Sequence, residues 1–373
     1  MEKAKISVIQ LFAMMFIFEM GTALVISYGI DAKKDAWLAI LLGICGGVVL
    51  FFIYYSLFRQ YPNLTLTGYA RKIFGKYVGW MIGLLYIVYW LYAAARTLRD
   101  FGDLMLTSTM SNTPLLAINI LFVLTMCYVL YLGIEVLGRT AEVFIVILIL
   151  LGATGNFFIF VSGNIDLHNL QPFLENGWKP ILTTAFPLTT FLPFGEMLIF
   201  TMLLPYLNRP KLAKKVWLSA VISSGLILSC TASLNIAVLG VEEVERSTFP
   251  LLSTVGKVNL FEFIQRLDAL VVFTFFITVF FKVSIYFYCV VIGMVDLFKL
   301  KKHQQMILPT GVILLFLSMA IASNFAEHIE EGLKLGTYYI SIPFLVIIPL
   351  IMLIVAMIRN RFKKKGKSKS NKT

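Results

Sequence analysis

Residues 186–196, Phe186-Pro-Leu-Thr-Thr-Phe-Leu-Pro-Phe-Gly-Glu196, interrupt an apolar run that is long enough to cross a membrane. Proline removes a backbone donor and clashes with the preceding helical turn, so this stretch is not expected to remain a smooth helix. A second irregular stretch, Phe18-Glu-Met-Gly-Thr-Ala23, places a glutamate beside a glycine within the first apolar run. We therefore predict two interrupted membrane helices, each with a carboxylate near its break.

The composition around these stretches indicates that most of the chain is dissolved in lipid. Of the 373 residues, 59% are apolar and 14% charged, with a mean hydropathy of +0.86. Soluble domains carry about a quarter charged residues. The net charge of +12 lies in short segments between apolar runs and in the C-terminal tail, so no basic face is available and nucleic acid is excluded as a partner. The four cysteines lie in apolar runs without metal-ligand spacing, so no metal or other cofactor is expected.

Ten apolar runs are predicted to span the membrane. Their approximate bounds are 6–29, 36–58, 78–105, 114–132, 141–161, 181–206, 214–240, 264–296, 306–325 and 337–358. Lys and Arg concentrate in alternate loops and in the tail 359–373. Because basic loops stay on the cytoplasmic side, both termini are predicted to be cytoplasmic.

The predicted fold class is an all-α polytopic membrane protein with a five-plus-five inverted repeat and broken helices 1 and 6. Residues 1–358 would form one transmembrane domain, with halves at about 6–161 and 181–358. Transporters of this architecture frame a binding site at the bilayer midplane with discontinuous helices in matching positions. A kink satisfied by Ser, Thr or water would explain either break alone, but two matched breaks favour a ligand site.

Three ionisable residues are predicted near the midplane: Glu19, Glu196 and Lys282. Charges at this depth are costly and usually face a protein interior or cavity. A charged Lys282 therefore needs a nearby acid, and Glu19 or Glu196 is the candidate partner. The three residues could form a structural ion pair or a proton-coupling group, or Lys282 could belong to the ligand or cation site.

Span 3 carries four further charged residues, which the helical period places on one face: Arg96, Arg99, Asp100 and Asp103. Because they lie towards the outer end of the span, we expect their charged ends to extend to the membrane surface or to pair with one another along the helix as a self-satisfied stripe. The alternative is that they line an outer vestibule. The three histidines are scattered through predicted loops, and no catalytic motif is recognisable. We therefore do not expect an enzyme.

Several short motifs, in this order along the chain, resemble those of the B-subunits of bacterial spore germinant receptors, also called spore germination permeases. They are Tyr61-Pro-Asn-Leu-Thr65, Gly68-Tyr-Ala70 and Phe74-Gly-Lys76 in the first inner loop, Gly133-Ile-Glu-Val-Leu-Gly-Arg-Thr-Ala-Glu142 between spans 4 and 5, Leu170-Gln-Pro172, Phe194-Gly-Glu-Met197 and Leu204-Pro-Tyr206. The resemblance covers nearly the whole chain and implies the amino-acid/polyamine/organocation fold.

The resemblance also implies a place in the spore inner membrane, in a complex with an A-subunit and a lipoprotein C-subunit. In that family this subunit is taken to recognise a small nutrient germinant, often an amino acid, and to signal to the A-subunit. The residues predicted to bind the ligand are Gly21, Thr22, Ala94, Ala95, Phe194, Gly195 and Lys282. Gly21 and Thr22 would offer backbone amides to an anionic group, and carbonyl groups near Phe194 would receive a cationic group.

Two further expectations concern the need for a coupling ion and the transport of the ligand. Lys282 could hold the position that a sodium ion fills between spans 1 and 8 of related transporters, so the site would not need sodium. The alternative function is a proton- or sodium-coupled amino-acid symporter, with Glu19 or Glu196 titrating.

Overall fold

The computed structural model describes residues 4–258, 267–322 and 324–370. Its α-helices are α1 (Val8–Met20), α2 (Ala36–Gln60), α3 (Leu66–Phe74), α4 (Lys76–Ser108), α5 (Leu115–Leu132), α6 (Ile134–Val161), α7 (Trp178–Thr183), α8 (Ala213–Leu239), α9 (Val241–Arg246), α10 (Pro250–Gly256), α11 (Asp268–Phe298), α12 (Gln304–Ala320), α13 (Phe325–Glu330) and α14 (Ile348–Ser370). Irregular helical segments join several of them, and the most important of these follows α7.

The membrane-crossing segments agree with the sequence prediction. In the described part of the chain, eight helical segments are long and apolar enough to cross a membrane, and α1 and α12 are shorter apolar helices. The long helix α11 is largely enclosed by the others, whereas α6 exposes most of its surface. The predicted fold class, an all-α membrane protein with about ten spans, is confirmed.

Several helical stretches were not predicted because they are not apolar runs, among them the following three. The first predicted inner loop contains α3, which buries Tyr69 and Ala70 on one face. Helix α6 begins at Ile134, seven residues before the predicted start of span 5 at 141, and α14 continues to Ser370 within the basic tail. Hydropathy finds the part of a helix that lies in lipid, not the polar turns that extend beyond it.

Helix α1 begins with a capping box and ends at a glycine. The Ser7 hydroxyl accepts from the Gln10 backbone N–H at 3.1 Å, and the Gln10 side chain accepts from the Ser7 N–H at 2.8 Å. At the other end Gly21 has φ +24°, a conformation that L-residues rarely adopt, and the chain continues in turns. The predicted break of span 1 therefore lies at Gly21.

Span 6 is irregular over most of its length. After α7 it forms a π-helical segment, Thr184–Thr189, in which Phe186 leaves helical geometry (φ −124°, ψ 114°). It then becomes the 3₁₀-helical segment Phe194–Met202. The predicted break of this span is confirmed. Span 10 also begins irregularly, in the π-helical segments Glu331–Ser341 and Pro343–Ile347, which the sequence reading did not anticipate.

Three glycines of α2 let it approach the irregular part of span 6 closely. A methyl group on Gly43 would lie 2.5 Å from Thr189 Oγ1, and one on Gly47 would lie 2.5 Å from Phe194 Cβ. Gly46 faces Thr190 in the same way. Because two backbones can meet only where side chains are absent, these glycines determine where α2 lies against the break.

We predict that Gly47→Leu will strongly lower the thermal denaturation midpoint of the purified protein in detergent. The added side chain has no space beside Phe194, and overpacking of this kind costs about 1–3 kcal/mol or more. Gly155→Leu is the matched control, since no atom lies within 4 Å of a methyl group placed there on α6. Equal midpoints for the two variants would contradict this account of the contact.

Candidate ligand-binding site

A buried ion pair lies between α11 and the irregular part of span 6. Lys282 Nζ is 2.6 Å from Glu196 Oε2, and the side chains are only 3% and 8% exposed. The ammonium group also lies 5.2 Å from the centre of the Phe18 ring, in cation–π geometry. Of the two acids predicted as partners for Lys282, Glu196 is therefore the one in contact.

The break in α1 is packed directly against this lysine. A methyl group on Gly21 would lie 2.5 Å from Lys282 Cδ, so only glycine fits here. One turn earlier on α11, the Thr278 hydroxyl donates to the Gly21 carbonyl oxygen at 3.0 Å. The Lys282 stem and the Thr278 hydroxyl together anchor the end of α1 to α11.

The amide groups beyond the break differ in their hydrogen bonding. The Gly21 N–H still donates to the Ile17 carbonyl oxygen at 3.1 Å, as in a continuing helix. Within the described residues, the Thr22 and Ala23 N–H groups have no hydrogen-bond acceptor. The Thr22 hydroxyl is paired with the Tyr28 hydroxyl at 2.6 Å.

Glu19, on α1, is fully buried and its side chain contacts α8. Its Oε2 is hydrogen-bonded to the Ser224 hydroxyl, whereas its Oε1 has no partner among the described residues. A buried carboxylate oxygen without a donor is costly, so Glu19 is the less satisfied of the two midplane acids.

A cavity extends from the ion pair towards the outer end of α4. It is enclosed by the turns after α1, by α4, by span 6, by α11 and by the segment that leads into span 10. Its lining includes Thr22, Ile26, Tyr28, Tyr89, Tyr92, Ala93, Arg96, Thr97, Asp100, Leu192, Glu196, Lys282, Ile329, Gly332, Gly336 and Ser341. Hydroxyl groups and four charged side chains face one space, which suits a small polar ligand.

Two of the four residues on the charged face of α4, Arg96 and Asp100, form the outer end of this cavity. The other two, Arg99 and Asp103, lie outside its lining. Arg99 pairs with Asp103 at 2.8 Å, as expected for a self-satisfied stripe. Asp100 Oδ1 lies 2.7 Å from Nε2 of His328, which is fully buried on α13. The prediction that this histidine lies in a loop was wrong, because α13 folds back over α4. Arg96 and Asp100 line the cavity, as the vestibule alternative proposed.

The predicted site residues are not all on the cavity wall. Thr22, Lys282 and Glu196 line it, but Ala94 and Ala95 are fully buried elsewhere, and Ala93 takes the wall position on α4. Gly21 lies behind Thr22, where it contacts Lys282.

On span 6, the predicted residues Phe194 and Gly195 are absent from the wall of this cavity. The Phe194 ring faces a second, smaller cavity between span 1, α2 and α8. The Gly195 carbonyl oxygen accepts from the Tyr54 hydroxyl at 3.3 Å.

The sequence reading also missed several contributors, namely Tyr28, Thr278, Ser224, His328 and Ser341. Each is a hydroxyl or imidazole within or near an apolar stretch. Such polar groups in a membrane protein are a recognisable signal for interhelical hydrogen bonds.

The fold and site define a permease-like membrane protein: helices interrupted at matching positions around a buried cavity with an ion pair. The structure is similar to that of Mhp1, a nucleobase-cation-symport-1 family transporter in a closed conformation with bromovinylhydantoin bound. The TM-score is 0.70, with 13% sequence identity, over 94% of this chain and 78% of that chain. At this identity the likeness shows the fold alone.

The family is shown by sequence. Residues 5–326 match the model of the spore germination protein family, to which this chain belongs. It is 44% identical to spore germination protein KB of Bacillus subtilis (strain 168) over the full length of both chains. It is also 26% identical to spore germination protein YndE and 23% identical to spore germination protein B2 of that strain, over 89% and 84% of this chain and 90% and 86% of theirs. The resemblance identified from the sequence motifs is confirmed.

We predict that Lys282→Met will lower the denaturation midpoint more than the double variant Lys282→Met/Glu196→Met. Removing one partner of a buried pair leaves an uncompensated charge and costs about 3–5 kcal/mol, whereas replacing both with apolar groups is often close to neutral. Thermal denaturation of both variants in the same detergent measures the difference. A double variant less stable than the single variant would contradict this prediction.

Proposed function

We propose that this chain is the nutrient-sensing subunit of a spore germination receptor and binds a small molecule, an amino acid, in the cavity between its interrupted helices. The observation that carries the proposal is the cavity itself, which joins the break of α1 to a buried ion pair on α11 and span 6. Membership of the spore germination family supports the biological role. The proposed role is sensing rather than enzyme catalysis.

The ligand would use the groups that the protein leaves unsatisfied around the cavity. The Thr22 N–H has no acceptor among the described residues and would donate to an anionic or polar group of the ligand, and the Thr22 and Tyr28 hydroxyls lie beside it. Because Gly21 already donates to Ile17, its role is conformational: it permits the turn and the approach of Lys282.

The Lys282 ammonium group would take the place of a coupling cation. It lies where α1 breaks against α11, it is paired with Glu196, and its stem fills the space beside Gly21. A fixed positive charge at this point would make ligand binding independent of sodium.

The proposal places the chain in the inner membrane of the spore with both termini cytoplasmic, together with an A-subunit and a lipoprotein C-subunit. The basic loops and tail support this orientation. Ligand binding would act on the partners by favouring one of two arrangements of the interrupted helices.

We expect the double variant Lys282→Met/Glu196→Met to lose the germination response and ligand binding while the protein still accumulates, because the site loses both charges but leaves none unpaired. Spores carrying the variant are tested with a panel of L-amino acids, and protein level is measured by immunoblot. The control is Arg71→Gln/Asp296→Asn, which removes an ion pair outside this cavity. Replacing sodium with choline should leave the wild-type response unchanged. An unaltered response of the Lys282/Glu196 variant would refute the assignment.

A second candidate function, a proton-coupled amino-acid symporter, is favoured by one observation. Glu19 is fully buried beside Ser224 and close to the break of α1, and one of its oxygens has no partner in the part of the chain that the structure describes. A carboxyl group in that setting could bind and release a proton as the helices rearrange.

Uptake into proteoliposomes separates the two functions. A sensor should bind ligand without accumulating it under an inward proton gradient, because binding alone moves no solute. Gradient-driven uptake that is lost in Glu19→Gln, but kept in the surface control Glu135→Gln, would establish the symporter instead.

A further inference from the structure

The cavity contains one cation, Arg96, that has no salt-bridge partner among the described residues. Lys282 is paired with Glu196, and on α4 Arg99 is paired with Asp103. Arg96 lines the cavity but forms no ion pair within the described part of the chain. An arginine keeps its charge in proteins, so its guanidinium group is available to pair with an anionic group of a ligand.

The hydrogen bonds of Arg96 are also incomplete. Its Nη2 donates to the His328 carbonyl oxygen, while Nη1 is buried and has no acceptor among the described residues. A buried donor without an acceptor costs about 1–3 kcal/mol, and more when it is charged. A ligand that supplies the acceptor would recover this cost.

The surroundings of Arg96 hold the guanidinium group in place. It lies 5.8 Å from the centre of the Tyr92 ring, and it lies so close to Gly332 that a side chain there would displace it. Gly332 and Gly336 both line the cavity, so backbone forms part of the wall opposite α4. Asp100, one turn along α4, lies on the same wall and is already hydrogen-bonded to His328.

We propose that Arg96 binds a carboxylate group of the ligand and selects carboxylate-bearing nutrients over neutral ones, an inference that rests on the proposed ligand binding in this cavity. The break of α1 offers only N–H dipoles, whereas Arg96 supplies a full charge in a planar arrangement that matches a carboxylate. An amino-acid ligand would place its ammonium group among the acids of the same cavity, Asp100 and Glu196.

The test compares acids with their amides. Purified wild-type protein is screened by thermal stabilisation against the L-amino acids and D-glucose. Each amino acid that binds is compared with its α-carboxamide, for example L-alanine with L-alaninamide. We expect the acid to bind and the amide to bind at least tenfold more weakly.

Arg96→Gln should weaken binding of the acid about 10- to 100-fold, because one charge-assisted interaction is lost, while binding of the amide changes little. Arg96→Lys should recover part of the loss.

The control is Arg99→Gln/Asp103→Asn, which neutralises a satisfied pair on the same helix outside the cavity and should keep the preference for the acid. Equal binding of acid and amide by the wild type, or unchanged affinity of Arg96→Gln for the acid, would overturn the inference. Binding of D-glucose to wild type and Arg96→Gln alike would also overturn it, but would leave the sensing proposal standing. Failure of the wild type to bind any compound would remove both.

Discussion

The structure depends on the buried contact between Lys282 and Glu196. A lone charge at this depth is costly, so each residue requires the other. Because Glu196 follows the break in span 6 and the Lys282 stem fills the space beside Gly21, the pair connects both interrupted helices to α11. A buried pair contributes little net stability compared with apolar packing. Its effect here is positional: it fixes where the two breaks face each other, and the cavity forms at that point.

The glycines of α2 also help to position the irregular part of span 6. Span 6 cannot form a regular helix over residues 184–202, so its backbone groups need partners that a lipid environment does not provide. Close approach of α2 lets the Thr189 hydroxyl donate to the Ala39 carbonyl oxygen at 2.8 Å, and Tyr54 reaches the Gly195 carbonyl oxygen. The irregular span 6 is thus stabilised by α2, whose small residues permit the contact. Its backbone groups therefore do not all depend on a ligand for hydrogen bonds.

The features predicted correctly from the sequence are those that depend on composition along the chain. The predictions failed where the direction of a side chain about its helix axis decides which groups it contacts. The spans and both breaks follow from apolar runs and from proline and glycine, so they were predicted to within a few residues in most cases. Lys282 had two possible partners, and only packing selects Glu196 over Glu19. Ala94 and Ala95 were predicted to line the site, but successive residues point about 100° apart, and Ala93 is on the wall. His328 was misplaced because nothing local indicates that α13 folds back onto Asp100.

Two of the buried polar atoms that lack a hydrogen-bond partner among the described residues bear on how one architecture serves either sensing or transport. Arg96 Nη1 lies at the outer end of the cavity, and Glu19 Oε1 lies behind the break of α1. Each raises the free energy of this state until a ligand or a proton satisfies it. A ligand shifts a conformational equilibrium only by its difference in affinity between two states. A carboxylate that pairs with Arg96 only when α13 covers α4 would therefore stabilise the covered state, which is the response a receptor needs. A transporter must also lose that preference when the site opens to the other side of the membrane, because only then is the ligand released there.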